Sequence, residues 1–375
     1  MSTSSPSRVR VAIDVGPLYG HRTGVGVATA GMLTALAARP DVSMSPYLTS
    51  RRSTPMAGHR RLPVPGIVAS HLWSRCDVPL ADRWLPDVDL VHGTNYVAPP
   101  SRRPTVVSVY DCWFLRHPGQ ASALVRRAGA NLRRAVARGA WIHVTSDATK
   151  EQATELLGTD RVITVYLGAP AAPDAPPHVD ATPAAVDGLR GRQLVVAIAT
   201  EERRKDLPLL VQAFEHLAGD HADLVLVLAG APGDDSDRVG ATIDASGSHV
   251  RDRIRRLGPV DAPTKSWLLR NATVLAYPSL DEGFGFPILE ANAAGTPVVA
   301  TAVGSIPEIA GDAAVLIDDP DRQPIVFAEA LDGVITGHDR LALIEAGYRN
   351  VRRFRWATTA ERLVDLYRTA QDEST

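Results

Sequence analysis

Tyr277-Pro-Ser-Leu-Asp-Glu-Gly-Phe-Gly-Phe-Pro-Ile-Leu-Glu-Ala-Asn-Ala-Ala-Gly-Thr-Pro-Val-Val-Ala300 is the stretch whose reading decides the fold. A short apolar run ends at Tyr277, a glycine-containing loop follows, and Pro287 then opens a helical pattern at the first turn, where proline is favoured. A second apolar run begins at Pro297. Strand, crossover helix and strand in this order predict a parallel sheet. The amides of Phe284, Gly285 and Phe286 stand at the predicted helix start, where free N–H groups and the helix dipole attract anions such as phosphate. Glu282 and Glu290 flank the turn. A loop extends ~3.3 Å per residue and a helix rises ~1.5 Å per residue, so the two carboxylates can meet different parts of one elongated ligand.

The alternation runs outward in both directions. Upstream, Val9–Val15, Val42–Leu48, Leu90–His92, Thr105–Tyr110, Trp141–Thr145 and Arg161–Tyr166 read as strands, with helical patterns at Val25–Ala38 and Ala121–Ala137. Residues 50–85 read as irregular. Downstream, Leu194–Ala199, Leu224–Ala229, Val274–Tyr277, Pro297–Thr301 and Ala313–Ile317 read as strands, with helices at Asp206–Leu217, Pro287–Ala294 and Gln323–Val334. Between the halves, Gly168 to Gly188 is rich in proline and alanine and reads as a linker. The expectation is an α/β protein with two doubly wound units facing across a cleft: 1–170, a linker at 171–189, and 190–356. In such sheets ligands sit beyond the carboxyl ends of the strands.

Bulk properties narrow the function. The chain has 375 residues, enough for two domains, each able to bury its own core. A formal net charge of −2 argues against a nucleic-acid binder working by bulk charge. Two cysteines, Cys76 and Cys112, fit a reducing compartment and form neither a disulfide framework nor a metal-type spacing. The polar opening MSTSSPSRVRVAIDVG lacks the apolar core of a signal peptide. No run approaches the ~18 apolar residues of a membrane span. A cytoplasmic protein is expected, with room for peripheral contact at the inner face of a membrane.

At the 277–300 stretch the chain resembles family-4 glycosyltransferases, retaining enzymes of GT-B fold, in their EGFGFP form of the Glu-x7-Glu element. The resemblance continues through Thr296-Pro-Val-Val and Gly304-Ser-Ile-Pro-Glu-Ile-Ala-Gly-Asp-Ala-Ala, and covers most of the chain. It implies two Rossmann-like domains, with Glu282 beside the transferred sugar and Glu290 on the donor ribose. Thr200-Glu-Glu-Arg-Arg-Lys-Asp-Leu-Pro resembles the E-P-R-K-N-L-P element, with Arg203 where proline is usual. Arg204 and Lys205 would then grip the donor diphosphate. The chemistry needs such cations, because charge grows on the leaving diphosphate as the glycosidic bond breaks. Thr23-Gly-Val-Gly resembles the family's T-G-I-G loop, which puts Gly24 and Gly26 close to donor or acceptor. Val260, after Gly258-Pro, corresponds to a main-chain contact with the base. Tyr110-Asp111 stands where relatives show His-Asp, near the reacting sugar. A tyrosine there can donate a hydrogen bond but is a poor proton acceptor at neutral pH. The last helix, 357–372, corresponds to one that packs back on the first domain.

Gly24-x-Gly26 lacks the third glycine of a dinucleotide fingerprint, because Thr29 occupies that place. Asp87-Val-Asp89 has a metal-type pattern, but it reads as a loop starting a strand, and the resemblance implies no metal and no cofactor besides the nucleotide-sugar co-substrate. His117 reads as a loop histidine, and His92 as structural or cleft-lining. Arg126, Arg127, Arg133 and Arg134 form a basic helix face that either is solvated or lies on anionic lipid. The expected function is transfer of a hexose, by mild preference mannose, with retention, onto a glycan, lipid-linked or small-molecule acceptor. A non-catalytic nucleotide-sugar-binding protein that has lost the usual histidine at Tyr110, and an epimerase, are the alternatives.

Overall fold

The computed structural model describes residues 8–20, 23–49, 53–170, 183–337 and 339–373. The chain divides into two compact units: Met1–Gly168 with Phe354–Thr375, and Ala169–Arg353. The first contains, in chain order, β1 (Val9–Asp14), α1 (Gly24–Ala37), β2 (Val42–Leu48), β3 (Arg60–Arg61), α2 (Gly66–Trp73), β4 (Leu90–Gly93), β5 (Thr105–Val109), α3 (Trp113–Arg116), α4 (Ala123–Ala137), β6 (Trp141–Val144), α5 (Asp147–Leu157) and β7 (Val162–Thr164). The second contains β8 (Gln193–Ile198), α6 (Leu207–Leu217), β9 (Leu224–Ala229), α7 (Ser236–Ala245), α8 (Ser248–Arg251), β10 (Ile254–Gly258), α9 (Ala262–Asn271), β11 (Val274–Tyr277), α10 (Phe286–Ala294), β12 (Val298–Thr301), α11 (Ile306–Ala310), β13 (Val315–Ile317), α12 (Pro324–Thr336) and α13 (Arg340–Val351). The chain then returns to the first unit as α14 (Trp356–Asp372).

Among the described residues both sheets are parallel. Their orders are β3-β2-β1-β4-β5-β6-β7 and β10-β9-β8-β11-β12-β13. The central strands are apolar runs buried on both faces, β9 being LVLVLA with every residue buried, as helix-covered parallel sheets require. The strand order reverses between β1 and β4, and again between β8 and β11. These are the switch points where neighbouring loops diverge and leave a crevice beyond the strand ends.

Several elements differ from their reading in the sequence. Residues 50–85, expected to be irregular, contain α2, whose eight residues give too few turns for periodicity to show. The strand expected at 161–166 is confined to β7, three residues long. Residues 171–182 of the expected linker lie outside the described residues. Its end, 183–189, packs into the second unit: Val186 and Leu189 are buried in the core beside Trp267 and Leu269.

Helix α14 is seated on the first unit by shape and by a polar chain. Its Trp356 ring occupies the space that a Cβ at Gly31 or Gly168 would fill. From Tyr367 a chain of buried hydrogen bonds crosses the sheet. Tyr367 Oη lies 2.8 Å from His92 Nδ1, His92 Nε2 lies 2.8 Å from Ser108 Oγ, Ser108 Oγ lies 2.8 Å from His143 Nδ1, and His143 Nε2 lies 3.1 Å from the Val165 carbonyl. A carbonyl only accepts, so His143 Nε2 donates and its Nδ1 accepts. Ser108 therefore donates to His143 and accepts from His92 Nε2, and Tyr367 donates to His92 Nδ1. One end fixes every proton, with both imidazoles neutral.

Burial lowers the pKa of both histidines, His143 to about 4 and His92 well below its ordinary value, where the nearby His143 adds to the effect. The unfolded chain, with histidines near 6.5, binds more protons than the folded one between these values. Their contribution is thus complete above pH 6.5 and is lost as pH falls toward 4, at ~1.4 kcal/mol per pH unit per histidine. Five of the six tryptophans lie in the first unit, so tryptophan fluorescence follows its unfolding. Urea titrations read this way should show a midpoint that falls steadily from pH 6.5 to 4.5. Tyr367→Phe, which strands His92 Nδ1, should cost ~1–3 kcal/mol at neutral pH.

Candidate active site

The two strands that flank the switch point of the second sheet, β8 and β11, pair through Val195 with Val274 and Val196 with Leu275. Their carboxyl ends therefore emerge side by side. The loop after β8 makes a short turn at Arg203–Lys205. The loop after β11 runs from Pro278 to the start of α10. The Leu280 amide donates to the Arg204 carbonyl at 2.7 Å, which ties the two loops together. A second tie is ionic. Arg322 pairs with Asp206 at 2.9 Å and also donates to the carbonyls of Pro278 and Ser279. Asp206 and Arg322 both have positive φ, 43° and 52°, a conformation that costs on the order of 1 kcal/mol in a non-glycine residue.

These ties bring Arg204, Lys205 and Glu282 together. Lys205 Nζ makes a close ion pair with Glu282 Oε1, and Arg204 Nη1 lies 3.2 Å from Glu282 Oε2. Ser279 Oγ donates to Glu282 Oε1 at 2.9 Å, and Lys205 Nζ lies 3.2 Å from Tyr277 Oη. Arg204 Nε also meets Glu202 at 2.9 Å. Glu282 and Lys205 are only 6 % and 8 % exposed. Burial pushes the Glu282 pKa up, but Lys205 and Arg204 outweigh it and hold the carboxyl at about 2. Burial and the neighbouring Arg204 lower the Lys205 pKa, and Glu282 works in the opposite direction. Glu282 is thus the counter-ion that keeps a buried lysine charged.

The backbone of Glu282 is held as tightly. Its carbonyl accepts from Ser305 N at 3.0 Å, and Gly304, at φ 53°, lies against it. Gly285 caps α10 at φ 89°, and no side chain caps that helix. Phe284 and Phe286 stack edge to face, 5.1 Å between centroids. On the buried side of α10, Glu290 Oε1 receives Lys265 Nζ of α9 at 2.6 Å. Val260 packs partly buried just before α9, whose first turn is capped by Asp261, 2.9 Å from Thr264 N. Arg204, Lys205, Val260, Glu282, Phe284, Gly285, Phe286 and Glu290 all belong to the second unit.

Gly24, Gly26 and Tyr110 belong to the first. Gly24 opens α1 beside Thr23, and Gly26 is buried. Tyr110 is buried, and its hydroxyl donates to the Thr94 carbonyl at 2.9 Å. Burial pushes its pKa up, so it is a neutral donor already engaged with the main chain and is not poised to take a proton. Asp14, at the end of β1, is the titratable group that the sequence did not single out there. Burial raises its pKa to about 6 against the opposing Gly16 amide. His117 stacks on Trp113 at 3.9 Å, and Asp89 is held by Arg10.

Residues 187–350 match the family described as "Glycosyl transferases group 1". That match lies within the second unit and spans most of it. The chain is 27% identical over 290 residues to the O-antigen chain mannosyltransferase B of Escherichia coli, covering 74% of both proteins. It is 36% identical over 156 residues to a D-inositol 3-phosphate glycosyltransferase of Salinispora tropica, an alignment that spans 40% of this chain and about a third, 32%, of that one. Among solved structures, sucrose-phosphate synthase from Thermosynechococcus elongatus superimposes with a TM-score of 0.73 at 18% identity, over 96% of this chain and 99% of that one. The fold is GT-B, with two Rossmann-like parallel-sheet units.

Within the second unit, several residues around the charged cluster were not picked out from the sequence. Tyr277 and Ser279 lie inside the quoted stretch but carry no charge to draw attention. Lys265, Asp206 and Arg322 are single charges on helical or loop segments whose partners only the fold supplies. Glu201 is buried with Arg256 and Ser236, the hydroxyl at 2.6 Å, and so anchors the loop after β8. Gly304 offers the sharpest test of how this frame supports Glu282. A Cβ there would stand 2.6 Å from the Glu282 carbonyl and 2.8 Å from its amide, at a φ that L-residues rarely adopt. Gly304→Ala should destabilise the second unit by ~1–3 kcal/mol and lower turnover, whereas Gly219→Ala, with open space around it, should do neither.

Proposed function

We propose that the protein transfers a hexose from a nucleotide-diphosphate sugar to a hydroxyl acceptor, with retention of configuration and without a metal ion. The observation that carries this reading is the Arg204–Glu282–Lys205 cluster, with Glu282 and Lys205 buried and Arg204 partly so, directly before the uncapped α10. Its two cations and the helix start present positive charge to one region, and a diphosphate supplies the matching negative charge.

The division of roles follows from chemistry. As the glycosidic C–O bond breaks, its electron pair goes to the diphosphate. Arg204 and Lys205, fixed before the reaction and largely dry, stabilise that growing charge more than water would. Their ion pairs with Glu282 keep both side chains aimed. Glu282 lies beside the sugar, and Glu290, oriented by Lys265, accepts hydrogen bonds from the ribose. Val260 lies by the base, and the amides at Phe284, Gly285 and Phe286 line the phosphates. Gly24 and Gly26 belong to the loop that approaches donor or acceptor. The acceptor hydroxyl gives its proton to the departing phosphate, so the step asks for no protein base. Mannose is the preferred sugar, in keeping with the relative from Escherichia coli named as a mannosyltransferase. The nucleobase and acceptor are left to measurement: a thermal-shift panel of nucleotide sugars should single out the donor as the ligand that raises Tm most, by linkage.

Lys205→Ala should lower kcat by ~10²–10³-fold, with chemistry followed by release of nucleoside diphosphate. Unchanged transfer would remove Lys205 from its role. Glu282→Gln separates catalysis from binding. It should abolish most turnover yet keep nucleoside diphosphate affinity near neutral pH, because the carboxylate no longer competes for the two cations. With its counter-ion gone, Lys205 loses its proton more readily. The alkaline fall in nucleoside diphosphate affinity should therefore begin at lower pH in Glu282→Gln than in the wild type. Calorimetric titrations across pH 7–10 that gave superimposable curves would contradict this coupling.

A further inference from the structure

One guanidinium reaches both loops of the charged cluster. Arg322, between β13 and α12, sets Nε and Nη2 3.0 and 2.9 Å from Asp206 Oδ2. Its Nη2 also donates to the Pro278 carbonyl, and its Nη1 lies 3.5 Å from the Ser279 carbonyl. Asp206 is the residue next to Lys205. Ser279 is the residue whose hydroxyl donates to Glu282 Oε1. Arg322 therefore grips the chain beside the lysine on one side and the support of the glutamate on the other.

Side-chain chemistry suits this position to arginine alone. Its donors lie in one plane and spread over a carboxylate and two consecutive carbonyls, whereas a lysine ammonium is a point charge on a flexible stem. The backbone is strained at both partners, with φ 43° at Asp206 and 52° at Arg322, and strain of this kind gathers where a site needs a fixed geometry. Asp206 also supplies a contrast. Its other oxygen, Oδ1, takes Arg238 of α7 at 2.9 Å, and Arg238 is shared with Asp235 in the loop after β9. Arg238 thus ties the loop after β8 to the loop after β9, while Arg322 ties it to the loop after β11, which carries Glu282.

We propose that Arg322 is a positioning residue for transfer: it holds Lys205 on Glu282 and so aims the ammonium at the leaving diphosphate. The proposal rests on the reading of Lys205 as a diphosphate cation, but its first test needs no donor. The chain has only three lysines, Lys150, Lys205 and Lys265. Full-length protein carrying lysine labelled with heavy nitrogen therefore gives three side-chain ammonium signals by NMR, and Lys205→Arg identifies that of Lys205. In Arg322→Gln this signal should move toward that of the exposed Lys150 and broaden, while that of Lys265 stays in place.

In the same variant kcat should fall by about ten- to a hundredfold. Donor KM should change by less than about threefold, because Lys205 acts most on charge that grows in the transition state. Arg322→Lys, which keeps the charge without the planar fork, should lie between Arg322→Gln and the wild type. Arg238→Gln removes the other partner of Asp206 and should leave both the Lys205 signal and kcat unchanged. An unmoved Lys205 signal in Arg322→Gln would overturn the proposal, as would a loss of kcat no larger than that in Arg238→Gln. If Arg322→Gln does not fold, Arg322→Lys is read by the same two measurements and judged in the same way. A wild type that turns over no nucleotide sugar would remove the transferase reading, and the lysine signal would then decide by itself whether Arg322 places Lys205.

Discussion

A buried carboxylate held between two cations is the interaction on which the second unit is arranged. Removing Glu282 and Lys205 from water, and Arg204 in part, is expensive, and their mutual attraction repays this only where geometry is good and the remaining hydrogen-bonding atoms are satisfied. Here Ser279 and Tyr277 supply the additional partners. Apolar residues of similar volume would pack as stably. Charge retained at such cost, beside an uncapped helix start, is consistent with a task that needs it: cations already dehydrated and aimed before an anionic leaving group forms. Asp206 and Arg322 extend the same logic. Each holds an unfavourable backbone conformation, and they are paired with each other, so the strain sits at the joint that fixes the two loops.

Sheet topology explains why this cluster forms where it does, and why part of it could be read from the sequence. Glu282, Arg204 and Lys205 follow directly after apolar strand runs, and in a parallel sheet everything after a strand lies at one edge. Only the adjacency of β8 and β11, separated by β9 and β10 in the chain, makes the two loops neighbours. A doubly wound reading implies that adjacency. Arg322 and Lys265 were not legible, because their partners lie 116 and 25 residues away on segments with no fixed spacing to the motif. Composition misled at 183–189, where alanine and proline suggested a linker although Val186 and Leu189 fill the core of the second unit. Helix α2 escaped because its burial pattern is set by α4 rather than by its own short repeat.

The first unit holds its polar interior in a different way. The chain from Tyr367 through His92, Ser108 and His143 to Val165 is as deeply buried as the charged cluster, but every member is neutral. No ion has to be dehydrated, and direction replaces charge: a single carbonyl at the end determines each donor and acceptor along it. Such a chain tolerates no substitution that removes a proton or adds one. It ties residue 367 to residue 92, and Trp356 sits against Gly168. The two points where the polypeptide passes between units, after Gly168 and before Phe354, are therefore both anchored on the first unit by packing around one indole ring. The neutral chain thus fixes where the covalent connections leave the first unit, and the charged cluster fixes what the second unit can bind. Acid pH would strike the first of these before the second, because His143, its pKa lowered to about 4, takes up a proton well above the pH at which a carboxylate held at about 2 does.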